Sequence, residues 1–191
     1  MIRLLAFAVL MAPTAALAHP GHEATGGLLA GLQHPLTGFD HVAVMIAVGL
    51  WAALKDGRAL WVWPAAFVGV MLVGGVLGMA HVPLPFVEPA ILASVVVLGV
   101  LVAMAVDLPV RLGAAIIGLF ALFHGYAHGA EVPEAASAVS YLMGFALATV
   151  VLHGAGIATA LALKSTRWQP LVRVGGAACV LIGVGLAAKV I

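Results

Sequence analysis

Read from its amino end, the chain is a series of long apolar runs separated by short polar breaks. A membrane-crossing helix needs about 20 predominantly apolar residues. Six segments meet that length: Pro35 to Leu54, Leu60 to Ala80, Phe86 to Val106, Val110 to His128, Ala135 to Leu163 and Leu171 to Ile191. The breaks carry the turn and charge signals: Lys55-Asp56-Gly57-Arg58, His81-Val82-Pro83-Leu84-Pro85, Asp107-Leu108-Pro109, Glu131-Val132-Pro133-Glu134 and Lys164 to Pro170. The pattern predicts an all-α integral membrane protein with a six-transmembrane-helix bundle over residues 34–191.

The first 18 residues read differently. Arg3 is a short positive region, Leu4 to Met11 an apolar stretch, and Ala16-Leu17-Ala18 a small-residue cleavage site. Together they predict a cleaved secretory signal peptide over residues 1–18, followed by a short periplasmic segment over residues 19–33. Positive charge points to the same topology. With the mature amino end outside, Lys55, Arg58, Arg111, Lys164 and Arg167 fall inside, and Lys189 alone falls outside.

Composition narrows the class. The chain is 64% hydrophobic and 8% charged, against about 25% charged in an ordinary soluble domain. A formal net charge of +1 and the lack of a basic cluster exclude nucleic acid as a partner. One cysteine, Cys179, excludes a disulfide framework and any CxxC site. The eight histidines stand out, being as many as Lys and Arg together.

The predicted topology gathers most of the acids and histidines at the outer level, where ionisable groups normally face a cavity, a partner or an ion path. In Phe123-His124-Gly125-Tyr126-Ala127-His128-Gly129-Ala130-Glu131, His124 and His128 share a helix face, and Glu131 can extend the stripe. In His34-Pro35-Leu36-Thr37-Gly38-Phe39-Asp40-His41, the two histidines are two turns apart and align if the helix starts early. Thr37 and Asp40 also have capping-box spacing, which gives Asp40 a purely structural alternative. Six residues are therefore candidate metal ligands: His34, Asp40, His41, His124, His128 and Glu131. Glu88, opening the third span, and His153, deeper in the fifth, are weaker candidates. Imidazole and carboxylate donors without thiolate suit Ni, Co, Zn, Mn or Fe(II) better than Cu(I). No G-x-x-x-x-G-K-[ST] loop is present, so phosphate-loop ATP hydrolysis is not expected.

The two motifs resemble the signatures of the HupE/UreJ family, small bacterial membrane proteins associated with nickel uptake for hydrogenase and urease. The resemblance implies a multi-pass permease of the bacterial inner membrane, with its amino end periplasmic. It implies Ni2+ or Co2+ as transported substrate rather than bound cofactor, no enzymatic activity, and a link to nickel-enzyme maturation. Two other classes fit the residues: an intramembrane metal-dependent hydrolase using Glu88 or Glu131 with Ser94 nearby, and an accessory protein that hands metal to a partner.

Overall fold

The computed structural model describes residues 23–132, 137–164 and 169–189. The signal-peptide expectation, His19, His22, Glu134 and Arg167 lie outside these residues. The described residues form seven α-helices: α1 (Glu23–Gln33), α2 (Phe39–Lys55), α3 (Ala59–Met79), α4 (Val87–Ala103), α5 (Val110–Ala130), α6 (Ala138–Ala162) and α7 (Gln169–Ala187). A 3-10 turn, His34–Leu36, joins α1 to α2.

Helix α2 is the hub. Val44, Met45, Ala47, Val48, Trp51 and Ala52 on it are fully buried, because α3, α4, α6 and α7 all pack around it. A helix apolar on every side belongs in such a position. The other helices turn large apolar side chains outward, among them Val73, Leu119, Val151 and Leu181. Helices α3, α5, α6 and the stretch Pro170–Ala187 of α7 are each long and apolar enough to cross a membrane.

Two of the expected spans differ from simple rods. The segment expected from Pro35 to Leu54 is broken, with an 82° bend between Gly27–Leu36 and Phe39–Lys55. Pro35 lacks an amide donor, and Gly38 is extended (φ −101°, ψ 120°), so the helix restarts at Phe39. The segment expected from Phe86 to Val106 is helical only over Val87–Ala103, because Phe86 and Ala105 both take left-handed backbone angles.

Close backbone approach sets the packing. Extra atoms at Gly74 and Gly78 of α3 would strike the backbone of α5, and extra atoms at Gly125 and Gly129 of α5 would strike that of α3. Small residues at such spacing let two helices meet along their length without side chains between them. At the far end of α2, Lys55 Nζ donates to Asp107 Oδ1 at 2.5 Å, Lys164 pairs with Asp56, and Trp51 Nε1 donates to the Val106 carbonyl at 2.8 Å. The Lys164 ammonium, then the Gly57 amide, hold the Asp56 carboxyl below its ordinary value.

Gly125→Ala would drive a methyl into the Met71 carbonyl, whereas a methyl at Gly69 meets open space. We expect Gly125→Ala to cost about 1–3 kcal/mol, the range for overpacking, and Gly69→Ala to be neutral. Thermal unfolding of the detergent-solubilised variants checks this.

Candidate metal centre

The seam between α3 and α5 fixes which face of α5 looks inward. With Gly125 and Gly129 pressed on α3, His124 and His128 turn into the bundle, where they are 0% and 2% exposed. Facing them is the first turn of α2. There Asp40 Oδ1 accepts from its neighbour His41 twice, from the backbone amide at 2.9 Å and from ring Nδ1–H at 2.8 Å. A carboxylate can only accept, so the ring proton sits on Nδ1 and His41 Nε2 keeps a free lone pair. That Nε2 is buried without a hydrogen-bond partner. Gly38 makes the clasp possible, since a Cβ there would lie 2.7 Å from Asp40 Oδ1.

The capping-box alternative for Asp40 does not form. Gly38 is the N-cap, and the Thr37 hydroxyl turns back to donate to the His34 carbonyl at 2.7 Å. His34 and His41 are therefore not two turns apart on one helix. The bend nevertheless brings His34 to the same place by another route.

His34 Nε2–H donates to Glu131 Oε2 at 3.1 Å, and His128 Nδ1 lies 3.9 Å from that same oxygen. One ligand atom from each of His34, His128 and Glu131 falls within 4.8 Å of the other two. Below this rim the imidazoles continue inward. The His34 and His128 ring centres are 4.8 Å apart, His128 and His41 4.3 Å, and His41 and His124 4.9 Å. The six stronger candidates thus divide into a rim set, His34, His128 and Glu131, and a deeper set of Asp40, His41 and His124, with His128 touching both.

The rim opens into a cavity of about 600 Å³ lined by His34, Asp40, His41, Glu88, His128 and Glu131 among others, with no Lys or Arg in its wall. Glu88 is an exposed residue of the first turn of α4 on that wall. Its carboxylate adds negative charge to the cavity. His124 lies beneath the lining. His153 is separate: it is 1% exposed, neither ring nitrogen has a partner, and Phe67 stands between it and His124 with ring distances of 5.0 and 5.8 Å. His81 is exposed and outside the cavity.

Sequence reasoning passed over Ser94 as a neighbour of His124. Its hydroxyl is fully buried, 2.9 Å from His124 Nε2. A lone serine inside an otherwise apolar span was the available signal. Chemically, the assembly offers carboxylates that offset the desolvation of a cation, and neutral imidazoles that supply directional lone pairs. It contains no thiolate, so it favours borderline divalent metals over soft monovalent copper.

Comparison with known proteins gives a concordant picture. The family model described as HupE / UreJ protein matches residues 7–186. The chain is 46% identical over 179 residues to Protein HupE of Rhizobium leguminosarum bv. viciae, covering 94% of this chain and 93% of that protein. No solved structure matches it significantly.

Glu131→Gln keeps an acceptor for His34 but removes the charge. We expect it to weaken Ni2+ binding by the purified protein about tenfold, or about 1.4 kcal/mol. His81→Ala, outside the cavity, should leave binding unchanged. Isothermal titration of both variants against the parent protein is the check.

Proposed function

The chain belongs to the HupE/UreJ family, and from that premise we propose that it carries a divalent transition metal ion, nickel before cobalt, across the bacterial inner membrane. The observation that carries this reading is the ladder of imidazoles running inward from an acid-lined cavity at one end of an apolar helical bundle. In this reading α2 to α7 are six crossings. Helices α2 and α4, at 17 residues each, span about 26 Å and are the shortest, close to the roughly 30 Å of a hydrocarbon core. In the same reading the cavity faces the periplasm, which the positive-inside distribution supports.

The cation enters between the carboxylates of Glu131 and Glu88 and exchanges water for Glu131, His34 and His128. His128 borders both sets, so it hands the ion to His41 and His124 without an interval of full dehydration. His153, across Phe67, is the next station inward. The protein needs no nucleotide for this. Two charges moving down the membrane potential gain about 4.6 kcal/mol per 100 mV. That corresponds to roughly a thousandfold accumulation.

Two measurements test the proposal in sealed proteoliposomes loaded with radioactive nickel at trace concentration. His128→Ala breaks both sets and should reduce the initial uptake rate at least tenfold; undiminished uptake in well-inserted protein would sink the imidazole ladder. Collapsing an imposed inside-negative potential should abolish concentrative uptake and leave only equilibration. Competition by Co2+, Zn2+ and Mn2+ in the same vesicles ranks the cargo. Tight binding without flux would favour an accessory that donates metal.

A further inference from the structure

Ser94 lies on the buried face of α4, fully enclosed, and touches two groups. Its Oγ is 2.5 Å from the Ile91 carbonyl oxygen, one turn earlier on the same helix, and 2.9 Å from His124 Nε2. A hydroxyl has one proton. Two oxygens at 2.5 Å repel unless a proton lies between them, and a carbonyl has none to give. The hydroxyl proton is therefore committed to Ile91, and what Ser94 presents to His124 is a lone pair.

His124 must then supply the proton for the second contact. Its Nε2–H donates to Ser94 Oγ, and in a neutral imidazole the other nitrogen is bare. His124 Nδ1 is indeed buried with no hydrogen-bond partner. The His41 ring, edge-on at 4.9 Å, is the other imidazole of the deeper set. On His41 the tautomer is the reverse, with the proton held on Nδ1 by Asp40 and Nε2 bare.

We propose that Ser94 is a positioning residue of the metal path: it fixes His124 in the Nε2–H tautomer, so that Nδ1 is the nitrogen offered to the cation. Asp40 and Ser94 thus perform the same task from opposite helices, one with a charge and one with a neutral lone pair. A ligand imidazole characteristically donates its other N–H to a partner that sets ring orientation and basicity, and losing that partner costs about 10–100-fold in metal affinity. A neutral partner on the deeper ring raises basicity less than a carboxylate would, so His124 holds the ion less tightly than His41 and releases it inward.

This assignment rests on the reading of His124 as a station for the transported ion, and the tests separate the two. In 15N-histidine-labelled protein in nanodiscs, the resonance pair lost in His124→Asn should show a protonated Nε2 and a bare Nδ1; the opposite pattern overturns the assignment without reference to transport. In proteoliposomes, Ser94→Ala should raise the KM for Ni2+ uptake about tenfold or more at little changed maximal rate, and Ser94→Thr, which keeps the hydroxyl, should bring it back. A parental KM in folded Ser94→Ala protein overturns the proposal. If His124→Ala transports normally, the station reading itself fails. Should Ser94→Ala not insert, the nitrogen spectrum of the unaltered protein decides.

Discussion

Everything at the candidate centre depends on the backbone contact between α3 and α5. Glycines 74 and 78 on one side and 125 and 129 on the other leave no room for a side chain, so the rotation of α5 about its axis is fixed by contact rather than by preference. Once that rotation is set, His124 and His128 have only the interior to face. The cost is two buried imidazoles whose nitrogens are largely unpartnered, and such groups are expensive in an apolar interior. Tight packing elsewhere in the bundle offsets that cost, and the unsatisfied nitrogens are what a cation would find there.

Much of this was legible in the sequence, for reasons that can be traced residue by residue. The helix expected from Leu60 to Ala80 runs Ala59–Met79, and that expected from Val110 to His128 continues to Ala130. Apolar runs bounded by Pro, Gly and charge are strong signals, because hydrocarbon forces the backbone to satisfy itself. Spacing alone also placed His124 beside His128. What spacing could not show was the break at Gly38. A proline and a glycine three residues apart are compatible with either a helix start or a bend, and only packing of α1 on α6 selects the bend. The division of the candidate ligands into rim and deeper sets follows from that bend and was illegible for the same reason. The contact of Ser94 with His124 escaped because the two are thirty residues apart on different helices.

The two sets also differ in how their imidazoles are held. In the rim, His34 is oriented by Glu131, itself exposed. In the deeper set, His41 is tied to a carboxylate of its own helix and His124 to a buried hydroxyl. An exposed outer set would suit capture of an ion from water, and an enclosed inner set would suit selection by geometry. The gradient from exposed acid to buried neutral donor follows the direction in which the medium becomes less able to solvate charge.

The 82° bend between α1 and α2 has a mechanical corollary. It mounts His34 on an arm that packs against α6, while its rim companions belong to the end of α5, 97 residues away along the chain for Glu131. An ion seated among them is a reversible staple, closing a long loop much as a disulfide would. Ligand binding to the folded state adds about 2.7 kcal/mol of stability at a hundred times the dissociation constant. A bound ion would therefore stiffen the mouth of the cavity, and the ion-free protein would be the one with the looser rim.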